Sequence, residues 1–478
     1  MPSWSHEFER DFHRISVEVL SLLLSHHHFI DALSSDTNLL TKYAPFLWLN
    51  PPSGKWFTSE SQYEHIQSTV STLGHVLPRP TSLPLTWQSR LVSHLEENRI
   101  KLIGLCVEGV AGTFAQFHEK KDHICHYNTL WGVTTVIHSM SAASSSTHMA
   151  LLQNNSLRLV CQVFEFLTKH RRFTDAEFKI AITGLISVAA YFTWVMQHGH
   201  SYIYDLLGYQ LMPLLLKATK HAVGEAEKYI MDVLHIMTSR LGYASILKRC
   251  RKAIPHAERM GLIEYLNSCD DIEEESLRTS WMDFRNIMLH RTNIFLKYIY
   301  TACGNEKSTY LQCSTKPKIA PAQLMCCSGC QFMLYCSHTC QKDDWKLGHR
   351  SLCKEIKRMK KDGISLPLSE SDKTAMDIFA ESFVNGYEDL ETKWEVLKSQ
   401  YIEEYGHDTE WPLVMCLDYR TRKQSPTLFV DSSRSFDDGS EMFDNLVSKA
   451  HAGLGTLVHW SLPNDGPDAF GKLELFEY

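Results

Sequence analysis

Apolar residues recur with the helical period over most of the first 300 residues, and few glycines or prolines interrupt them. Two segments show the pattern clearly. In the first, one helical face is apolar and the opposite face is polar: Leu157, Val160, Cys161, Phe164 and Leu167 against Arg158, Gln162, Glu165 and Lys169. Residues 230–237 repeat this arrangement. The pattern predicts an all-α region of about ten helices at residues 1–300.

Helices with one apolar face can be buried either as stacked pairs, as in an α-solenoid, or in a compact bundle. The chain shows no fixed repeat period, so the sequence leaves both arrangements open. One stretch, residues 180–197, contains no charged residue and approaches the length of a membrane span. Its internal Thr183, Gly184 and Ser187 and its amphipathic neighbours favour a buried helix of the α region instead.

The pattern changes towards the C-terminus, where β-type residues alternate with turn signals. Residues 363–371 have the composition of a linker, and residues 373–405 have a helical pattern. Four short strands are predicted beyond them, at residues 413–419, 427–430, 455–462 and 472–476. We therefore expect three regions: an all-α region at 1–300, a short cysteine-rich segment at 301–355, and a helical linker with a small α+β domain at 356–478.

Composition and charge narrow the class of protein. Hydrophobic residues make up 44% of the chain and charged residues 22%, which are ordinary values for a folded globular protein. The formal net charge of -7 gives no overall attraction to nucleic acid or to anionic lipid. The N-terminus lacks a basic segment followed by an apolar stretch, so we expect no secretory signal and an intracellular protein, in the cytoplasm or the nucleus.

Cysteines are concentrated in one part of the chain. Eight of the fourteen lie close together, at Cys303, Cys313, Cys326, Cys327, Cys330, Cys336, Cys340 and Cys353. The other six are scattered and are expected to be buried thiols: Cys106, Cys125, Cys161, Cys250, Cys269 and Cys416. Because thiols stay reduced inside cells, the cluster indicates metal ligation rather than disulfide bonds.

Three ligand pairs follow one another within this cluster. They are Cys327 with Cys330, Cys336 with Cys340, and His349 with Cys353. The spacing of the first pair is that of a tight turn around one metal ion, for which Gly329 would supply a positive φ. The members of each other pair lie one helical turn apart, so both can face one ion. Thiolates with an imidazole are the usual ligands of structural zinc.

The order and spacing of these residues resemble the MYND finger: Cys327-x2-Cys330-x5-Cys336-x3-Cys340-Gln341-x3-Trp345-x3-His349-x3-Cys353. Residues between the ligands match as well, namely Tyr335, Gln341 and the pair Asp344-Trp345. The resemblance implies two structural zinc ions bound in interleaved order. One ion would be held by Cys327, Cys330, His349 and Cys353, and the other would be shared by Cys336 and Cys340 with two upstream ligands.

The upstream ligands are where the chain departs from the family pattern. MYND fingers usually open with Cys-x2-Cys, whereas this chain offers Cys303, Cys313 and Cys326. We expect an insertion between the first two ligands, with Cys303 and Cys313 completing the second site and Cys326 as a spare thiol. The alternatives are Cys313 with Cys326, or a carboxylate ligand from Glu306.

Resemblance to MYND fingers also implies protein–protein interaction, because such fingers often bind short proline-containing peptides in a shallow groove. The matching positions are Ser328, Gln341 and Trp345. An exposed indole would stack on proline or aliphatic side chains, and the amide would bond the peptide backbone. The alternative for Trp345 is a packing role beside the second zinc-binding helix.

Other functions have less support. Some MYND fingers are inserted in SET-type lysine methyltransferases, but neither the Gly-x-Gly segment before the finger nor an Asn-His-Ser-Cys-like segment after it is present, so we expect no enzyme activity. The basic run at 354–361 could contact nucleic acid, although a solvated helix face is the simpler interpretation, as it is for Lys342, Lys346 and Arg350. Histidines at 26–28, 198 and 200 lack other ligands at suitable spacing and are expected to be surface or half-buried side chains.

Overall fold

The fold is taken from a computed structural model of the chain, in which helices predominate and a small mixed β-sheet lies near the C-terminus. The structure describes residues 59–77, 85–117, 123–169, 173–259, 276–298, 325–330, 333–335, 337–362, 368–386, 389–406, 411–419, 426–437, 439–462 and 470–477, with the single residues Val19, Leu49, Ile364 and Leu366. The predicted mainly α fold with a small α+β C-terminal unit is confirmed.

The helices that precede the finger are α1 Ser59–Val76, α2 Leu85–Glu97, α3 Arg99–Gln116, α4 Ile124–Ala143, α5 Ser145–Gln153, α6 Ser156–Lys169, α7 Asp175–Gln197, α8 His200–Gly208, α9 Leu211–Ala218, α10 Glu225–Ser239, α11 Ala244–Arg259 and α12 Leu277–Tyr298. Five of them, α1, α4, α7, α10 and α12, stand in a row in which each helix packs against the next. A row of this kind favours the stacked arrangement over a bundle around one axis.

The first two helices of this row approach each other through glycines. A Cβ atom added to Gly74 of α1 would lie 2.8 Å from the Cα atom of Gly132 of α4. A Cβ atom added to Gly132 would lie 2.5 Å from the carbonyl oxygen of Val70. Because real Cβ atoms essentially never come so close to backbone, a side chain at either position would push the two helices apart.

Helix α7 contains the uncharged apolar stretch at residues 180–197, which approaches the length of a membrane span. Among the described helices it alone is long enough and apolar enough to cross a membrane by length and composition. It begins at a capping box in which Thr174 and Glu177 each accept a hydrogen bond from the other's backbone N–H, at 3.3 and 2.8 Å. Between its neighbours α4 and α10 it buries large side chains such as Tyr191 and Phe192, as a core helix does.

The finger and the C-terminal part contain the remaining elements: β1 Met325–Cys326, β2 Leu334–Tyr335, α13 His338–Asp344, α14 Arg350–Asp362, α15 Glu370–Gly386, α16 Leu390–Tyr405, β3 Leu413–Asp418, β4 Thr427–Ser432, α17 Glu441–His451, β5 Gly455–Leu462 and β6 Phe470–Glu477. The helical stretch predicted at 373–405 is therefore two helices. The four predicted strands correspond to β3, β4, β5 and β6, while residues 463–469, between the last two strands, lie outside the described residues.

The four C-terminal strands form one sheet in the order β4-β3-β5-β6. The outer pairs are antiparallel, whereas β3 and β5 run parallel, with Cys416 opposite His459. Parallel strands need a crossover connection, and α17 lies in the segment that connects β4 to β5. The helix packs on the face of the sheet that carries Val414, Cys416 and Leu457.

The opposite face of the sheet belongs to the hydrophobic core of the long helical region. Met415, Leu417, Val458 and Trp460 are buried in the same cluster as side chains of α1, α4, α7 and α15. Alternation of side chains along β3 explains how one strand serves two cores. The helical region and the C-terminal sheet therefore share apolar contacts in one core. The predicted boundaries between regions at residues 300 and 355 stay a prediction.

Candidate metal centre

The first two candidate ligands lie on a short hairpin. Strands β1 and β2 are antiparallel, with Met325 opposite Tyr335. The backbone N–H of Cys327 donates a 2.9 Å hydrogen bond to the carbonyl oxygen of Met333, and residues 328–330 form a turn. This turn brings Cys327 and Cys330 to one side of the hairpin, where both side chains are buried.

The other two candidate ligands come from the helical half of the finger. Helix α13 begins after Ser337, whose hydroxyl accepts a 3.1 Å hydrogen bond from the N–H of Cys340. A single π-helical turn at Trp345–His349 follows, and at Gly348 the backbone leaves helical dihedrals, with φ 159° and ψ -25°. The resulting kink lies directly before His349, and α14, which carries Cys353, begins at the next residue.

The four side chains meet at one point. Sulfur atoms of Cys327, Cys330 and Cys353 and a ring nitrogen of His349 all lie within 4.8 Å of one another, and all four residues are buried. Cys327 Sγ is 4.0 Å from Cys353 Sγ, and Cys330 Sγ is 3.6 Å from His349 Nε2.

These distances agree with tetrahedral zinc. Bond lengths of about 2.3 Å to sulfur and about 2.05 Å to nitrogen place tetrahedral ligands about 3.8 Å apart for two sulfurs and about 3.6 Å apart for sulfur and nitrogen. Three thiolates and one imidazole are also the ligand chemistry that structural zinc prefers. The residues present therefore fit a zinc ion in number, type and spacing.

Gly329 has a different role from the predicted one. Such a turn favours a positive φ, which glycine tolerates, but Gly329 is not among the described residues with positive φ. Instead, a Cβ atom at this position would lie 2.8 Å from Cys353 Sγ and 3.3 Å from the end of the Lys357 side chain. Glycine fits here because α14 lies close to the turn. A side chain at this position would press against the candidate ligand Cys353.

The surroundings of Cys327 and Cys353 shift the pKa values of their thiols in opposite directions. Burial raises the pKa of the Cys327 thiol, but hydrogen bonds from the Cys330 backbone, the His349 side chain and the Gly329 backbone outweigh burial and lower it to about 6. Burial, together with repulsion from Cys330 and Cys327, raises the pKa of Cys353 to about 11. Three thiols in one buried site cannot all ionise without a cation, and a bound metal ion would supply that positive charge.

Asp344 and Tyr335 lie beside the histidine on the side away from the cysteines. His349 presents Nε2 to Cys330, while its buried Nδ1 lies 4.0 Å from Asp344 Oδ2. The same carboxylate oxygen accepts a 2.6 Å hydrogen bond from the Tyr335 hydroxyl, and burial followed by this contact raises the pKa of Tyr335. A carboxylate that accepts a hydrogen bond from the second ring nitrogen fixes a metal-binding imidazole, and Asp344 stands on that side of His349, although 4.0 Å is too long for the hydrogen bond itself. The sequence pattern included Tyr335 and Asp344 but did not predict their contact.

The predicted second zinc site is only partly within the described residues. Cys340 is buried on α13 and does not belong to the four-residue cluster. Cys303, Cys313, Cys336 and Glu306 lie outside the described residues, and so does the side chain of Cys326. The assignment of these ligands stays a prediction.

The predicted peptide-binding residues lie on the surface of the finger. Gln341 and Trp345 line an open hollow of about 300 Å³ together with Lys342 and Lys346. Trp345 is 39% exposed, and its ring stands edge-on to His349 at 5.6 Å between centroids. Ser328 is exposed on the hairpin turn and is not among the residues that line the hollow.

The basic run at 354–361 lies on α14. Lys354, Lys357 and Lys361 are exposed, as the predicted solvated face requires. Arg358 pairs with Glu355 at 2.6 Å, and Lys360 Nζ donates a 2.8 Å hydrogen bond to the carbonyl oxygen of Cys330. The sequence does not predict this last contact, because a lysine within a basic run gives no signal that it reaches a distant carbonyl.

Most of the remaining candidates match their simpler interpretations where they are described, but His200 was expected at the surface or half-buried and is buried. His198 stacks on Trp194 at 4.0 Å between ring centroids, and buried His200 stacks on Tyr243 at 4.7 Å. Five scattered cysteines are free thiols that are buried or partly buried: Cys106, Cys125, Cys161, Cys250 and Cys416. Cys269 and His26, His27 and His28 lie outside the described residues.

A buried three-cysteine, one-histidine cluster on a hairpin and a kinked helix defines the segment as a zinc finger. Residues 301–353 match the family model of the MYND finger, which confirms the resemblance. A comparison with curated proteins found no match to the chain. MYND fingers are in general zinc-binding domains of protein interaction.

Proposed function

We propose that this finger binds short proline-containing segments of other proteins, and that its zinc ions stabilise the fold without taking part in a reaction. The observation that carries the proposal is the position of Trp345, exposed in a hollow beside the metal cluster. Zinc would fix His349, and the edge-on contact with His349 would in turn hold the indole in place. A rigid exposed indole can stack on a proline ring at low entropic cost.

The polar lining of the hollow supplies the second part of the proposed recognition. The half-buried Gln341 side chain offers both a donor and an acceptor for the backbone of an extended peptide. Ser328 on the hairpin turn would add a further contact if the peptide extends in that direction. Peptides in the polyproline II conformation present their backbone groups free of internal hydrogen bonds, which suits such a surface.

A peptide array of proline-containing sequences, probed with the zinc-loaded chain, tests this proposal. Hits should be measured in solution by fluorescence anisotropy with wild type, Trp345→Ala and Phe429→Ala. Phe429 is a matched control because it is 38% exposed but lies on β4. We expect Trp345→Ala to weaken binding at least about tenfold, as loss of an aromatic anchor does, and Phe429→Ala to bind like wild type. Equal binding by both variants would remove Trp345 from the interaction and overturn the proposal.

We propose two zinc ions per chain, the first held by the described cluster and the second by Cys336, Cys340, Cys303 and Cys313. Metal analysis of the purified chain should give two zinc ions per molecule. Cys303→Ser and Cys313→Ser should each retain one ion, whereas Cys326→Ser should retain two. A loss of zinc in Cys326→Ser, with full zinc in Cys303→Ser, would favour the alternative pair Cys313 with Cys326.

The proposed structural role of zinc follows from the ligand set. All four positions of the described site are filled by protein side chains, whereas a catalytic zinc keeps a position for water or substrate. We accordingly propose that the chain is not an enzyme. A methyl-transfer assay on histone and bulk protein substrates checks this, and turnover above that of a Cys327→Ser control would contradict it.

We propose an intracellular location, either cytoplasmic or nuclear. The support is that the described cysteines are free thiols, as expected in a reducing compartment. Imaging of the tagged full chain tests the location.

Binding of duplex DNA that disappears in a Lys354→Gln, Lys357→Gln double variant would favour the nucleic-acid alternative for the basic run at 354–361.

A further inference from the structure

Where α12 reaches Tyr419, at the end of β3, an arginine is buried with no partner of opposite charge among the described residues. Arg291 is only 2% exposed, and its Nη1 atom has no hydrogen-bond partner. None of the described ion pairs involves this residue. Its guanidinium carbon lies 5.7 Å from the centre of the Tyr419 ring. Burial lowers the pKa of Arg291 to about 10, so the group stays charged at neutral pH.

Tyr419, whose ring faces this guanidinium, has a second buried donor without a partner. The residue is 6% exposed, and its buried hydroxyl has no hydrogen-bond partner. Its backbone N–H donates a 3.0 Å hydrogen bond to the carbonyl oxygen of Ser461, which fixes the residue beside β5. Alternation along the strand directs the preceding Asp418 to the opposite face of the sheet, away from the guanidinium.

The position in the sheet is also one that favours ligands. Tyr419 directly follows β3, and Ser461 is the second-to-last residue of β5. Both therefore lie at the carboxyl ends of the two parallel strands. In open α/β sheets, ligands bind outside the carboxyl ends of the parallel strands at a topological switch point, and β3 and β5 are the parallel pair of this sheet. A cation against an aromatic face gains part of its stabilisation from the ring, but a buried guanidinium with an unmade hydrogen bond still lacks an acceptor.

We propose that Arg291 and Tyr419 form a binding site for a small anion, of the phosphate or carboxylate class, at the carboxyl ends of β3 and β5. The anion would accept a hydrogen bond from Arg291 Nη1 and one from the Tyr419 hydroxyl, and so satisfy both buried donors. Guanidinium groups bind both classes of anion through paired N–H donors, which is why the geometry does not separate them. An anion here would join α12 to the sheet, far from the zinc cluster in the sequence.

Thermal unfolding and calorimetric titration of the zinc-loaded full chain test this site, in chloride buffer at constant ionic strength. Inorganic phosphate and acetate are titrated separately, and the anion that raises the unfolding temperature in a saturable way identifies the class. Arg291→Met removes the charge at similar size, and Tyr419→Phe removes only the hydroxyl. The control is Arg358→Met, because Arg358 is exposed on α14 and pairs with Glu355.

We expect saturable binding by wild type and Arg358→Met, and at least about tenfold weaker binding by Arg291→Met, as loss of a charge-assisted hydrogen bond predicts. Tyr419→Phe should weaken binding as well, and it keeps the test decisive if Arg291→Met does not fold. Two results would overturn the proposal. One is the lack of a saturable response to both anions in wild type, and the other is an unchanged response in Tyr419→Phe.

Discussion

Lys360 Nζ donates a 2.8 Å hydrogen bond to the carbonyl oxygen of Cys330, and so joins α14 to the turn that carries a candidate zinc ligand. The same helix contacts the helical region, where Gln153 of α5 donates a 3.2 Å hydrogen bond to the carbonyl oxygen of Asp362. Burial raises the pKa of Asp205 on α8, and the charge of Lys360 opposes this rise. Among the described residues, α14 therefore joins the finger to the helical region.

Replacing Lys360 with methionine should weaken this attachment. The variant keeps the length of the side chain but removes the donor, and we expect the free energy of unfolding to fall by about 1 kcal/mol, as for a partly exposed charged hydrogen bond. Urea denaturation of the zinc-loaded chain measures the change. Lys361→Met is the control, since Lys361 is exposed on the same helix. Identical denaturation midpoints for the two variants would show that the Lys360 contact has no role in stability.

Gly329→Ala should lower zinc affinity. The added methyl group would lie 2.8 Å from Cys353 Sγ, so the sulfur or the turn must move away from its tetrahedral position. We expect a loss of about tenfold or more in affinity, comparable to the loss of a residue that orients a ligand. Competition with a coloured zinc chelator measures it. Ser328→Ala, on the exposed neighbour, should retain wild-type affinity, and equal affinities for all three proteins would contradict the packing argument.

Asp372→Ala should destabilise the contact between α11 and α15. The buried carboxylate accepts hydrogen bonds from the Ser245 N–H at 2.9 Å and from the Ser369 hydroxyl at 2.5 Å, at the beginnings of these two helices. Loss of both should cost about 3 kcal/mol, because the donors stay buried. Chemical denaturation checks this against Asp389→Ala, where the aspartate precedes α16 without a capping bond. A smaller effect for Asp372→Ala than for Asp389→Ala would refute the prediction.

His148 should make the chain less stable in mild acid. Burial, helped by nearby His198, lowers its pKa from 6.5 to about 4, and neither ring nitrogen has a hydrogen-bond partner. Between these values the unfolded chain binds more protons than the folded chain, so the free energy of unfolding falls as the pH falls. The contribution is fully present above pH 6.5 and amounts to a loss of about 2 kcal/mol at pH 5.

The matched variant for this effect is His148→Phe. A phenyl ring can keep the edge-on contacts that the imidazole makes with Trp194 at 4.5 Å and Tyr202 at 6.1 Å. Denaturation at pH 7 and pH 5 should show a larger loss of stability for wild type than for His148→Phe. The same loss in both proteins would mean that another group causes the acid sensitivity.

The sequence predicted those features that depend on local spacing. Cys327, Cys330, His349 and Cys353 could be grouped from spacing and family resemblance, and the structure brings them together. The strands could be placed because β-type residues lie between turn signals, but the parallel pairing of β3 with β5 could not, since it depends on a distant crossover. Helix α17 was missed, although Phe443, Leu446, Val447 and Ala450 recur at helical spacing after the capping residue Ser440.

Features that arise from packing gave no local signal. Position 329 favours glycine because the sulfur of Cys353, which is 24 residues further along the chain, lies close to the turn. The bend at Gly348 turns His349 towards the cysteines, whereas spacing alone placed His349 and Cys353 on one regular helix. Buried Arg291 was likewise indistinguishable from any other arginine of an amphipathic helix.

The hydrophobic core shared by the helical array and the C-terminal sheet has a consequence for shortened forms of the chain. A protein that stopped after the finger would leave the apolar surface normally covered by Met415, Val458 and Trp460 open to water. Such a surface promotes self-association. Frameshifts or proteolytic cuts near residue 400 should therefore yield insoluble material, even though every candidate zinc ligand would still be present.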